Sequence, residues 1–306
     1  ESSMRLEVRG IKKSFGDKEV LHGVSFEVMS GRAMGFLGRN GAGKSTTIRC
    51  LMDVFHQDEG GFYMDGAPLD IKKHRVGYLP EERGMYQKHT VMEQLCYFAR
   101  LRGATKQAAE QSASEWVDYF GLGEYKNKKL ETLSKGNQQK IQIAQGFLNE
   151  PDILILDEPF SGLDPVNAQV FKDAISRFVR EGRLVIFSSH QMGYVEEVCD
   201  DITLIHSGDI LLSGNLDDIK RDMGEGKLQL RAEGMADEAL EGKIKAAFPG
   251  IETLRHENGL ILDTKGKVSQ GDILRLIERE GMTIRSFGLY TPSLNDIFIS
   301  KAGEQA

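Results

Sequence analysis

The sequence is poor in residues that would staple or anchor it. Only three of its 306 residues are cysteines, Cys50, Cys96 and Cys199, far apart and with no C-x-x-C pair. That spacing excludes a disulfide framework and a thiolate zinc site and suits a reducing compartment. Each thiol reads as a small packing residue. No apolar run approaches the ~18 residues of a membrane span, and no hydrophobic segment follows the N-terminus as a secretory leader requires. Glu1-Ser2-Ser3 reads as a tag remnant, with Met4 as the native start. Excess basic charge is missing as well. With 39 Lys and Arg against 46 Asp and Glu, the net charge of −7 disfavours a nucleic-acid partner. There is no internal repeat and only one Trp. What is present, 40% hydrophobic and 28% charged residues, suits a globular chain of about two domains.

One stretch organises the rest. Gly38-Arg39-Asn40-Gly41-Ala42-Gly43-Lys44-Ser45-Thr46 follows an apolar run, Ala33 to Leu37, and precedes a helix-like segment, Thr47 to Met52. Strand, glycine-rich turn and helix are the context that a G-x-x-x-x-G-K-[ST] match needs. The glycines let backbone N–H groups converge on an anion, and the helix N-terminus adds its positive end. Lys44 is placed for β and γ phosphates and Ser45 for Mg²⁺. The bland alternative is a glycine-rich turn with a surface lysine.

Leu6 to Val8 and Val24 to Val28 read as strands. Between them Phe15 precedes a Gly16-Asp17 turn, either exposed as a stacking platform or part of the core. Gly61 to Met64 and Arg75 to Leu79 read as further strands, ending at the breaker Pro80-Glu81-Glu82-Arg83-Gly84. Helical periodicity then takes over. Thr90-Val91-Met92-Glu93 is a capping-box signature, and Lys106 to Phe120 is amphipathic, with Trp116 on its packing face. Lys126 to Lys129 reads as a solvated basic turn. Residues 85–150 thus form a helical insert. Within it, Ser134 and Gly136 open a helix through Leu148, which makes either a second anion site or an ordinary Ser N-cap.

Ile153 to Leu156, between Pro151 and Pro159, reads as a strand buried on both faces of a parallel sheet. It ends in Asp157-Glu158, and two carboxylates are costly to bury without a partner. Ligands of open α/β sheets bind at such strand ends. Asp164 caps and Pro165 starts the next helix. Leu184 to Phe187 is another buried strand, leading through Ser188-Ser189 to His190 beside the same carboxylate edge. Ile202 to His206 and Ile210 to Ser213 make a hairpin, and Asn215 caps a short helix. Gly224-Glu225-Gly226 breaks the composition. The remainder reads βαββαβ, a ferredoxin-like order, with a last helix capped by Ser293.

The phosphate loop, Leu133-Ser134-Lys135-Gly136-Asn137-Gln138-Gln139, the apolar run ending Asp157-Glu158, and Ser188-Ser189-His190 stand in this order. Together they resemble the ATP-binding subunit of an ABC transporter, over about residues 4–220. The Leu-Ser-Lys-Gly form, the Pro-Glu-Glu-Arg-Gly stretch and Ser293-Leu294-Asn295-Asp296-Ile297-Phe298 are similar to a bacterial NatA-like sodium or multidrug export group. The resemblance implies an α/β fold: a P-loop NTPase core with an antiparallel β subdomain and the helical insert. It spans residues 4–223, with a small α+β accessory domain at 227–301.

It also implies a mechanism in which two subunits, this chain and a second copy or a related ATPase subunit, face head to tail with ATP between them. Gly38, Asn40, Gly41, Ala42, Gly43, Lys44, Ser45 and Thr46 would hold the phosphates, and Phe15 would stack on adenine. Ser45, Asp157 and Glu81 would hold Mg²⁺. Glu158 would orient and polarise the attacking water, and His190 would bind the γ-phosphate and link Glu158 to the opposite subunit. Ser134 and Gly136 would close on the partner's ATP, with Asp164 at the seam. Glu81 stands where the family usually has Gln, with Glu82 a competing candidate. Lys135 replaces a small residue, and Asn137 replaces Gln. With no membrane span of its own, the chain would dock a membrane permease through the region of Glu81 to Gln87, on the cytoplasmic face of the membrane. The alternative is an ABC-type ATPase working on ribosomes or nucleic acid. Such chains typically carry two nucleotide domains or a long coiled-coil insert, and neither is found here.

Overall fold

An antiparallel hairpin opens the chain in this computed structural model, which describes residues 3–82 and 84–304. Strands β1 (Arg5–Phe15) and β2 (Lys18–Met29) pair from Arg5↔Met29 to Phe15↔Lys18, turning at Gly16-Asp17. Both are longer than their sequence pattern indicates. A register shift between Val8 and Ile11, with Gly10 at φ 59°, interrupts the two-residue period and hides the continuation through buried Ile11 and Leu21. Next come β3 (Ala33–Leu37), α1 (Lys44–Leu51), β4 (Glu59–Met64), β5 (Ala67–Pro68) and β6 (Val76–Leu79). The hairpin, β4 and β5 form one antiparallel sheet in the order β2-β1-β4-β5. Arg83, in the predicted breaker, lies outside the described residues.

The insert contributes α2 (Val91–Leu101), α3 (Lys106–Tyr119) and α4 (Lys135–Phe147). α2 carries the predicted capping box between Thr90 and Glu93, and Ser134 is the N-cap of α4. The core resumes with β7 (Ile153–Asp157), α5 (Pro165–Arg180), β8 (Leu184–Ser189), α6 (Met192–Val198), β9 (Asp201–His206) and β10 (Asp209–Asn215), after which comes α7 (Leu216–Gly224). A second sheet runs β10-β9-β3-β8-β7-β6, parallel except for the β9–β10 hairpin. All residues of β3, β7 and β8 are buried. One face packs Met34, Phe36, Ile153, Ile155 and Ile186 in a core shared with the first sheet. Trp116 is only 1% exposed and packs on Phe147, so it serves the core. Each such large apolar side chain contributes about 1.5–3 kcal/mol on burial.

The approach of α4 to the sheet depends on glycine. A Cβ at Gly77 in β6 would lie 2.0 Å from the carbonyl oxygen of Gly146 in α4 and 2.8 Å from Pro151. Gly77→Ala must therefore push α4 off the sheet. We expect it to cost about 1–3 kcal/mol, read as a lowered Tm; an unchanged Tm would contradict this packing.

The chain divides into two units, one running to Leu216 and taking in the stretch from Ser300, the other Asp217–Ile299. The second unit holds β11 (Lys227–Ala232), α8 (Asp237–Ala247), β12 (Glu252–His256), β13 (Gly259–Asp263), α9 (Gln270–Arg279) and β14 (Ile284–Leu289); α10 (Leu294–Gly303) follows. The antiparallel order β12-β13-β11-β14 is that of the predicted ferredoxin-like sandwich. Leu228, Leu230, Leu260 and Leu262 of the sheet pack with Leu240, Ile244, Ile273 and Leu276 of the two helices. No helix among the described residues is long and apolar enough to cross a membrane.

Candidate functional site

Parallel register brings the predicted site residues to one sheet edge. Leu37 pairs with Ser189, Asp157 with Ser188, and Leu79 with Leu156. The loop after β3, the carboxylates ending β7 and the Ser-Ser-His run ending β8 therefore emerge side by side, at the carboxyl ends of the strands. Close approach explains two of the loop glycines. A Cβ at Gly38 would lie 2.5 Å from the Ile205 carbonyl oxygen, and one at Gly43, whose φ is 112°, would lie 2.6 Å from Leu21. α1 starts at Lys44 with no side-chain cap, which leaves its first N–H groups for an anion. Ala42 is buried, Ser45 and Thr46 are half-buried, and Asn40 and Gly41 are exposed.

Lys44 is 5% exposed. Its Nζ donates to the carbonyl oxygens of Gly38 (2.5 Å) and Arg39 (3.3 Å) and lies 3.2 Å from Oε1 of Glu158. Glu158 is buried, and its other oxygen is 2.9 Å from His190 Nδ1. The His190 side chain is 40% exposed, so it stands at the rim while the carboxylate lies inside. Glu158 adopts φ 49°, a left-handed conformation costing about 1–3 kcal/mol for such a residue and typical of functional positions. Asp157 is 1% exposed. Its Oδ1 accepts the Ser188 hydroxyl at 2.5 Å, and the same hydroxyl oxygen accepts the Glu158 N–H at 3.1 Å. Ser188 thus fixes the Asp157 carboxylate and the Glu158 backbone. In the sequence Ser188 stands only as part of the Ser188-Ser189-His190 run, with no role of its own; the available signal was a Ser-Ser pair closing an apolar strand.

Asp157 Oδ2 is buried with no hydrogen-bond partner among the described residues. A carboxylate oxygen in that condition is costly, and a cation or its water relieves the cost. Among the described residues no three His, Cys, Asp or Glu gather as a self-sufficient metal site. One carboxylate plus the Ser45 hydroxyl fits Mg²⁺, which keeps several waters and takes substrate phosphates as ligands. Glu81 is exposed, just beyond the end of β6 on the same edge.

Ser134, Gly136 and Asp164 form another cluster. Ser134 is exposed, and its Oγ accepts the Asn137 N–H at 3.2 Å. Asp164 caps α5 by accepting the Asn167 N–H at 2.9 Å, and also holds the Asn167 side-chain amide. That amide nitrogen lies 3.2 Å from where a Cβ of Gly136 would sit. The start of α4 and the start of α5 are therefore adjacent. Phe15, at the tip of β1, is 48% exposed and is not a core residue.

The ABC transporter family profile matches residues 21–161, and the DrrA1-3-like ATP-binding protein C-terminal domain matches residues 214–302. The chain is 38% identical to the uncharacterized ABC transporter ATP-binding protein YhaQ of Bacillus subtilis, over 97% of this chain and 98% of that protein. It is 30% identical to the linearmycin resistance ATP-binding protein LnrL of the same organism, again over 97% and 98%. A solved ATP-binding subunit of an ABC transporter superposes with a TM-score of 0.65 at 29% identity, over 78% of this chain and 99% of that one. With near full-length relatives of this kind, the chain belongs to the ABC transporter ATP-binding family and is an ATPase.

Proposed function

We propose that this protein hydrolyses ATP at the seam between two copies of itself and thereby powers export through a separate membrane permease, bound at the cytoplasmic face of the membrane. The observation that carries the reading is the Lys44–Glu158–His190 chain of contacts around the phosphate loop, with 3.2 and 2.9 Å separations. Lys44 and the amides of Gly41 to Thr46 hold the phosphates, joined by Gly38 and Asn40 along the loop. Ser45, Asp157 and Glu81 hold Mg²⁺, which when bound neutralises charge on the phosphates. Glu158 orients and polarises the attacking water, and His190 orients Glu158 and reaches the γ-phosphate. Phosphoryl transfer asks for positioning and charge neutralisation more than covalent chemistry, and these residues supply both.

Ser134, Gly136 and Asp164 act on the partner copy. Ser134 and Asp164 are exposed and Gly136 lies beside Asn167, which suits a surface that closes on another chain's nucleotide. Phe15 stacks on adenine. Residues 4–223 make the ATP-binding domain and 227–301 an accessory domain. The permease docks beside Glu81 to Gln87, where the Tyr86 ring is half exposed. Export is favoured by the linearmycin-resistance relative and by the DrrA-like C-terminal match. Action on ribosomes or nucleic acid is disfavoured by the net charge of −7 and gains no support from the relatives.

Affinity purification from detergent-solubilised membranes tests the transport reading. The expected result is recovery with a multi-spanning membrane protein whose reconstitution raises ATP hydrolysis. Recovery with ribosomes or nucleic acid, and none with membranes, would contradict it.

A further inference from the structure

We propose that Phe55 and Asp58 are positioning residues that set the Phe15 ring as the platform for the nucleotide base. The inference rests on the reading of Phe15 as the adenine-stacking residue and goes beyond it. Phe15 ends β1 with its ring half in solvent, where an unsupported aromatic side chain would sample several rotamers. It is not unsupported. The Phe55 ring meets it edge to face, with centroids 5.3 Å apart and planes at 89°, a favoured aromatic geometry. The Lys13 ammonium lies 5.2 Å from the Phe15 centroid and 5.4 Å from that of Phe55, within cation–π range of both.

Asp58 fixes the backbone that carries the ring. Its N–H donates to the Lys12 carbonyl oxygen at 2.8 Å, and its Oδ2 accepts the Ser14 N–H at 2.6 Å. Its Oδ1 lies 3.6 Å from Lys13 Nζ. The residues on either side of Lys13 are therefore both bonded to Asp58, and the cation between them is paired with it. The Lys13 side chain is 14% exposed although Asp58 is half exposed, so the cation is held inward against the rings.

Phe55 and Asp58 both lie on the segment that leaves α1, the helix that begins at Lys44. Asp53, at φ 57°, turns that segment, and the Val54 N–H returns to the Arg49 carbonyl oxygen. One short stretch of chain thus connects the phosphate loop to the base platform. A fixed ring at a fixed offset from the phosphates lowers the ordering cost of binding, which is the usual gain from preorganisation. Neither residue belongs to the phosphate loop, so their effect falls on binding and not on turnover.

The test compares ATP with inorganic tripolyphosphate, which has no base, by calorimetry in the presence of magnesium, alongside steady-state kinetics. Phe55→Ala is expected to weaken ATP binding about threefold to tenfold, as loss of an aromatic contact does. KM should rise by the same factor with kcat and tripolyphosphate affinity unchanged. Phe55→Tyr should restore ATP affinity, and Asp58→Asn should fall in between. In a Phe15→Ala background, Phe55→Ala should cause no further loss. If Phe15→Ala weakens ATP and Phe55→Ala does not, the positioning role is wrong while base stacking stands. If Phe15→Ala leaves ATP affinity unchanged, the stacking reading fails and the positioning role with it. Equal loss of ATP and tripolyphosphate in Phe55→Ala would show damage to the phosphate loop and also overturn the proposal.

Discussion

Glu158→Gln is expected to lower ATP turnover by about 10²- to 10⁴-fold, the range for loss of a general base, while ATP binding survives. The substitution keeps the shape of a residue held at φ 49° between Lys44 and His190, so the loop geometry should persist. It removes the charge of a buried carboxylate paired with Lys44 and next in sequence to the buried Asp157, which relieves repulsion toward incoming phosphate. Single-turnover assays with radiolabelled ATP read the chemical step directly. Turnover at the unmodified rate would remove Glu158 from its assigned role.

The second large effect falls on binding. Lys44→Ala should weaken ATP by about 30-fold to several thousand-fold, since truncating one partner of a buried charge pair costs about 2–5 kcal/mol. The same change leaves Glu158 buried without its cation, and leaves the Gly38 carbonyl oxygen without the donor now at 2.5 Å. A lower Tm without nucleotide is therefore expected alongside the lost affinity. Calorimetric titration decides: ATP affinity equal to that of the parent chain would contradict the phosphate assignment of Lys44.

The parts of this site readable from sequence are those whose chemistry is local. The glycine pattern around Lys44, the Asp164-Pro165 cap and the Thr90–Glu93 capping box each depend on neighbours within a few residues, and the structure has all of them. Ile153 to Leu156 announced a doubly buried strand because two prolines bound it and every residue in it is apolar. The βαββαβ order of the second unit was legible for the same reason, through clean periods between turns.

What was not legible depends on register and on distant approach. The six-strand order β10-β9-β3-β8-β7-β6 arises from crossovers that no window of sequence contains. Ser188 gains its role only because parallel pairing sets it opposite Asp157. Phe55 and Asp58 matter because the chain beyond α1 returns to the tip of β1. Glycine bulging at Gly10 concealed half of β1 by breaking its alternation.

The central claim is that nucleotide is enclosed between two copies, the phosphate loop of one facing Ser134 and Gly136 of the other. Light scattering on Glu158→Gln, with and without saturating ATP and magnesium, tests it most directly. The account predicts that the 34.1 kDa chain doubles in mass when ATP is added and reverts when ATP is removed. A mass that stays at one chain under saturating ATP would contradict it.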